Sequence, residues 1–393
     1  MSSFLRRNSL LVVAAFIATA LVLKFIFADQ FLGLGPWWLQ ISAAALIFII
    51  GIGFVFRGTS RMIEETTDVL KDRTGLAGGF LQSFGTAFPD MIIGIVAAIL
   101  SLQVRNVDYV RAVNLAVLAA AATFGSNIYN ILHSTWCVWR QNRADTLGRE
   151  VLMFPPFASF GTLKPVEKHE TKPTAHEMDG AISVLTALTL LTTFVAISMV
   201  LFGRIGSDAF GMTGDLYQLV PPVGIVLFML SAAVLYFFRK SERPGAPTCK
   251  IAEEERAYAR FSTPRIWFEL VLAGVAILVA AEAMVRALEV FSDITHLPFV
   301  VTGVLAGIIG CLSEMIIVHN FSIHPKGRIG DAIVGVAMDN IITTLGAAIV
   351  AVIGGIFLGG GPLILIFIVI LAGNTLLIEQ IAKFKNRLPR MTG

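Results

Sequence analysis

The chain has 393 residues, of which 56% are hydrophobic and only 15% charged, and its net charge is +3 at neutral pH. A soluble globular chain carries about 25% charged residues, so this composition, with a mean hydropathy of +0.78, argues against a soluble enzyme. The small net charge argues equally against a nucleic-acid partner. Cys137, Cys249 and Cys311 are scattered and make neither a zinc spacing nor a disulfide framework.

A helix crosses roughly 30 Å of hydrocarbon with about 20 apolar residues while satisfying its own backbone. By that rule ten spans are expected, over residues 9–28, 37–57, 76–101, 111–139, 180–203, 217–238, 266–290, 298–323, 329–357 and 361–382. The runs are continuous and much longer than the roughly ten alternating residues of a membrane barrel strand, so the fold class is an all-α, multi-pass membrane protein with the lipid bilayer as its solvent. In the first span Arg6 and Arg7 precede an apolar stretch, as in a secretory signal. Its length, the internal Lys24 and the ending Ile26-Phe27-Ala28 favour a retained anchor instead. Segments 140–179 and 239–265 are polar and contain prolines, and they read as solvated connectors with a short surface helix near 252–261.

Basic residues are retained on the cytoplasmic side. With the N-terminus inside, 25 of the 30 Lys and Arg fall in cytoplasmic segments, while Arg105, Arg111 and Arg204 fall outside and Lys24 and Arg286 within spans. Both termini are therefore expected in the cytoplasm, in a plasma or inner membrane. All five Trp lie at expected span ends, where an indole keeps its N–H wet.

Phe84-Gly85-Thr86-Ala87-Phe88-Pro89-Asp90-Met91-Ile92-Ile93 and Ile308-Ile309-Gly310-Cys311-Leu312-Ser313-Glu314-Met315-Ile316-Ile317 resemble each other, each placing a carboxylate mid-span before Met-Ile-Ile. The next span of each half supplies a second pair, Gly125-Ser126-Asn127-Ile128-Tyr129-Asn130-Ile131 and Met338-Asp339-Asn340-Ile341-Ile342-Thr343-Thr344. Two matches in the same order, on spans running in opposite directions, are the signature of inverted repeats with a binding site near the midplane.

These segments resemble the alpha-repeats of the cation/calcium exchanger superfamily, with its G-T-S-x-P-E and G-S-N-x-x-N patterns. Phe84–Asp90 with Phe124–Asn130 matches well, whereas Leu312-Ser313-Glu314 with Asp339-Asn340 looks like a diverged second copy. The resemblance covers roughly 37–357 and implies an organisation of 1–36 as an extra helix, 37–139 as the first repeat, 140–265 as loops with two connecting spans, 266–357 as the second repeat, and 358–393 as a last span with a basic tail. The long helices 37–70 and 266–290 resemble those that open each half. The chain departs from the pattern at Asp90, where the family has Glu, at Gly310, Cys311 and Ser313, and at Asp339, where the family usually has Ser.

A carboxylate at the bilayer centre is costly unless it meets a cation, a proton or water. Asp90, Glu314 and Asp339 suit a hard divalent cation, since Ca²⁺ takes six to eight oxygens in irregular geometry. Thr86, Ser126, Asn127, Asn130, Asn340 and Thr343 would complete the shell, with carbonyls freed where Pro89 opens its helix. Any one of Ser126, Asn130 or Thr343 could equally be bonding a neighbouring helix. Glu282 and Arg286 are expected to pair, His133 and His319 to pack or relay protons, Lys24 and Glu379 to snorkel, and Gly307, Gly310, Gly335 and Gly346 to permit close crossings. The expectation is a secondary antiporter, neither an enzyme nor a cofactor protein, moving Ca²⁺ or a similar cation against Na⁺ or H⁺. No GxxxxGK[ST] motif is present to suggest a primary pump. The alternatives are a proton-coupled exchanger of another cation and a membrane subunit that binds ions without transporting them.

Overall fold

The structure, a computed structural model, describes residues 2–33, 35–74, 78–170, 172–205, 215–241, 258–323, 329–354 and 357–388. Its elements in chain order are α1 (Ser2–Val22), continuing as a π-helical stretch Leu23–Phe31; α2 (Trp37–Ile50), joined through a second π stretch, Gly51–Phe56, to α3 (Arg57–Thr74); α4 (Gly78–Val104); and α5 (Tyr109–Leu147). A hairpin of β1 (Val151–Phe154) and β2 (Phe157–Leu163) follows, then α6 (Ala175–Phe202), β3 (Arg204–Ile205), β4 (Leu216–Gln218), α7 (Pro221–Ser241) and α8 (Thr263–Thr295). The chain ends with α9 (Phe299–Gly310), α10 (Leu312–Ile323), α11 (Ile329–Val352), β5 (Phe357–Gly359) and α12 (Gly360–Lys385).

Among the described residues eight helices are long and apolar enough to cross a membrane, and the pair α9–α10, bent by 49°, makes a ninth. These fall on nine of the ten expected spans. The remaining one, 76–101, coincides with α4, whose described apolar stretch is Met91–Val104. The expected long helices are present as the continuous run from Trp37 to Thr74 and as α8, 33 residues long.

The 39-residue α5 is the buried axis of the bundle, with both its apolar run Leu115–Ala122 and its polar residues Ser126, Asn127 and Asn130 inside. The small side chains of Ala119–Ala122 let α9 approach to backbone contact. A Cβ on Gly307 would lie 2.2 Å from the Ala122 carbonyl oxygen, and one on Gly303 would lie 2.8 Å from that of Leu118. Where lipid offers no hydrophobic drive, such small-residue crossings hold helices together through dispersion. At Gly346 a Cβ would lie 2.4 Å from Met91 of α4, and at Gly335, on the same helix, no described atom lies within 4 Å of a Cβ.

Lys24 does not snorkel. Its ammonium meets Glu282 of α8 at 2.7 Å, Glu282 also accepts from Arg286 at 3.1 Å, and Arg286 reaches Asp29. Together with the 2.9 Å bond from Ser9 to the buried Glu269, this chain of polar contacts fastens α1 along α8. At one end of the bundle β3, β4 and β5 form a small antiparallel sheet, and Arg111 pairs with Glu289.

The opposite end, which carries most of the basic residues, corrects a second expectation. Segment 140–179 is not a solvated connector. Helix α5 runs on to Leu147, past the expected end at 139. The hairpin buries Met153 and Leu163 beside Cys137 and Val318, and it is tied to α5 by bonds from Trp136 Nε1 to the Met153 carbonyl at 3.0 Å and from Arg140 Nε to that of Leu152 at 2.9 Å. Burial pushes the pKa of His169 down, and its ring lies 3.1 Å from the Lys164 carbonyl. These contacts satisfy backbone groups that a loop would otherwise leave to water. Of the surface helix expected near 252–261, residues 252–257 lie outside the described residues, and Tyr258–Arg260 form a turn.

Candidate functional site

The break between α9 and α10 builds the centre of the bundle. The Cys311 N–H bonds back to the Gly307 carbonyl and its φ/ψ of −90°/5° leaves the helical region, so α9 ends and α10 starts afresh at Leu312. Glu314 thus sits in the first turn of a half-helix, whose N-terminal dipole favours a carboxylate, while the carbonyls that close α9 present partial negative charge to a cation. The helix opening expected at Pro89 is not found, since α4 is helical throughout Gly78–Val104. The discontinuity lies in the other half, where the sequence has no proline. Close packing of α9 on α5 holds it in place.

Glu314 is 1% exposed, and its Oε2 accepts from Asn130 Nδ2 at 2.7 Å. The same Nδ2 lies 3.5 Å from Asn340 Oδ1, which joins α5, α10 and α11 at one point. With Glu314 ionised, this orientation of the Asn130 amide follows from chemistry, because a flipped amide would turn its oxygen toward the carboxylate. Among the described residues, three buried acceptor atoms here then remain without a hydrogen-bond partner: Glu314 Oε1, Asn130 Oδ1 and Asn127 Oδ1. Buried oxygens are seldom left so, and leaving a charged one unsatisfied costs several kcal/mol. Asn340 Nδ2 is likewise without a partner.

Other expected ligands fall around this centre. Asp339 is buried beside Asn340 on α11. The Ser126 and Thr343 hydroxyls donate to backbone carbonyls of their own helices, at 2.9 Å to Thr123 and 3.0 Å to Asp339, which leaves lone pairs on both oxygens. Thr86 and Asp90 belong to α4, but their side chains lie outside the described residues. Among the described residues no three His, Cys, Asp or Glu side chains converge as a metal cluster.

No protein-family profile matches the chain, and no curated protein is significantly similar to it. Solved structures are similar. The H⁺/Ca²⁺ exchanger CAX superposes with a TM-score of 0.56 at 14% identity, covering 98% of this chain and 98% of that one. Native YfkE superposes with a TM-score of 0.55 at 14% identity over 95% and 91% of the two chains. The chain shares the fold of CAX and of YfkE. The sodium-calcium exchanger NCX_Mj gives a TM-score of 0.49 at 12% identity, over 89% of this chain and 98% of that one.

Within the exchanger fold, sequence reasoning missed Cys311, whose place at the break comes from packing. It also missed the hairpin, although Val-Leu-Met-Phe before Pro155-Pro156 and Phe-Ala-Ser-Phe after it carry a signal of two apolar strands around a turn. Glu282 and Arg286 pair as expected. His133 and His319 pack against each other with ring centroids 6.3 Å apart.

Asn130→Ala is expected to weaken cation binding about tenfold, since it removes one amide oxygen and leaves Glu314 without its donor, at ~1.4 kcal/mol per decade. Asn340→Ala should act in the same direction. Isothermal titration of the purified variants with Ca²⁺ checks both.

Proposed function

We propose that the protein is a secondary antiporter that carries Ca²⁺ or a similar hard cation across the membrane in exchange for Na⁺ or H⁺, its site lying between α4, α5, α9–α10 and α11. The observation that supports this most is the set of buried oxygens at Glu314, Asn130 and Asn127 that find no donor among the described residues, in a chain with the exchanger fold. A dehydrated cation satisfies several such oxygens together, whereas a neighbouring helix supplies one donor at a time. Asp90 and Asp339 join Glu314 as the remaining carboxylates of the site. Alternating access follows from rocking of one helix group against the other around this fixed centre. A site of this charge must not cross empty, so either the cation or its counter-ions neutralise the carboxylates on each passage.

Asp339 favours protons as the counter-ion. It adds a negative charge where the resembling family commonly has a hydroxyl, and neighbouring carboxylates raise one another's pKa. Protons bound at low pH then compete with the cation. Apparent affinity is expected to fall as pH drops from about 8 to 6, and Asp339→Ser should flatten that dependence. Uptake assayed across this range in proteoliposomes decides it. A flat profile together with a strict need for an opposing Na⁺ gradient would assign Na⁺ instead.

The orientation proposed from the basic residues places the hairpin end and both termini in the cytoplasm. A cysteine introduced at Lys172, in a chain with Cys137, Cys249 and Cys311 replaced, is expected to resist an impermeant thiol reagent applied outside intact cells and to react once the membrane is opened. Labelling from outside would reverse the orientation.

A further inference from the structure

Between the Glu314 centre and the hairpin end, α5 and α10 face each other with an unusual pair of residues for a membrane interior. His133 lies one turn beyond Asn130 on α5, and His319 lies five residues beyond Glu314 on α10, about 7.5 Å further along the axis at 1.5 Å per residue. Each ring is only partly buried, yet His133 Nε2 is buried and has no hydrogen-bond partner among the described residues. A buried ring nitrogen without a partner is costly unless water or an ion reaches it.

The hairpin closes this seam. Phe154 stacks flat on His319 (5.8 Å, 9°), lies 6.1 Å from His133, and is itself stacked on Trp136 at 5.8 Å and 7°. Phe160 meets His319 edge-on at 6.5 Å. The two sides of the hairpin are held differently. Toward α5 it is fastened by bonds from Trp136 and Arg140 to the Met153 and Leu152 carbonyls. Gln141 further bonds the Lys164 carbonyl just beyond β2. Toward α10 it rests on ring contacts, on Met153 and Leu163 clustered with Val318, and on Gly161 against Ile323. A flap hinged on α5 and seated on α10 can part from α10 without breaking its own base.

We propose that the cation reaches Glu314 from this end along the α5–α10 seam, between His133 and His319, and that the β1–β2 hairpin is the lid over that route, with Phe154 as its plug. The assignment rests on the exchange function proposed above and adds where its cytoplasmic access lies and what closes it.

A disulfide tests the lid directly. A Cβ at Gly161 lies 3.4 Å from the Ile323 Cβ, close to the span of a disulfide. In a chain whose native cysteines are replaced by Ala, Gly161→Cys with Ile323→Cys is expected to transport Ca²⁺ when reduced, to lose at least tenfold in flux on oxidation, and to recover on reduction. Each single variant should ignore the oxidant. Oxidised, cross-linked protein that transports as fast as reduced protein would overturn the lid. A second measurement does not depend on transport. On a His133→Cys background, Phe154→Ala should speed modification by an impermeant thiol reagent from the hairpin side at least tenfold, whereas Phe157→Ala at the exposed tip should not. Equal rates with and without Phe154 would overturn the lid even if the protein proved not to be an exchanger.

Discussion

Glu314→Gln is expected to abolish cation-dependent transport while leaving the protein folded. The amide keeps the shape of the side chain and can still accept from Asn130 at the position of Oε2, now 2.7 Å away. It removes the one charge that is tied to both α5 and, through Asn130, α11. Replacing a buried charge by a neutral isostere spares the fold the burden of desolvating it, so thermal stability in detergent should hold or rise. Binding should suffer, because charge-assisted contacts are about twice as strong as neutral ones. A fall of roughly 100-fold in apparent affinity, or ~2.7 kcal/mol, is the smallest effect expected. Uptake by the purified variant with the wild-type rate and half-saturating cation concentration would remove Glu314 from the site. Asp90→Asn should behave alike if Asp90 completes the site as proposed.

Gly307→Ala is expected to damage stability and site together. Its Cβ would lie 2.2 Å from the Ala122 carbonyl oxygen and 2.7 Å from the Ser126 amide nitrogen. Both are backbone atoms of α5 and cannot swing aside. Helix α9 must therefore lift away, at an overpacking cost of about 1–3 kcal/mol. At about 2–4 °C per kcal/mol, the scaling for 150–250-residue domains, the melting midpoint drops by roughly 5 °C. The shift carries the Cys311 break and Glu314 away from Asn130, so cation affinity should fall as well. Gly53→Ala is the matched control, because Gly53 is exposed, no described atom lies within 4 Å of its Cβ and alanine is the better helix former by about 1 kcal/mol. Equal melting points for the two variants would show that the α5–α9 crossing is not as close as described.

What the sequence made legible was whatever the bilayer enforces. Spans follow from the lack of water for backbone groups, and the midplane acids stood out because charge there is costly. Glu314 was found on these grounds and Asn130 and Asn340 through the repeated segments, and the structure brings the three together. What stayed hidden depends on packing between distant segments. The α9–α10 break has no proline to announce it and follows from Gly303 and Gly307 lying against the Ala119–Ala122 stretch of α5. At Pro89, where a local rule expected the break, α4 stays helical. Segment 140–179 looked like a connector because its mean polarity is high, yet Met153, Leu163 and Val166 are fully buried. Lys24 looked like a snorkelling residue because its partner, Glu282, lies 258 residues away.

The central claim is exchange of a hard cation at the Glu314 centre. Its most direct test is ⁴⁵Ca²⁺ flux into proteoliposomes of the purified protein, with Na⁺ and pH gradients imposed one at a time and the Glu314→Gln protein run alongside. The account predicts uptake that one of the two gradients drives, that stops when the gradient is collapsed, and that Glu314→Gln lacks. Uptake that ignores both gradients, or persists in full in the Glu314→Gln protein, would contradict it.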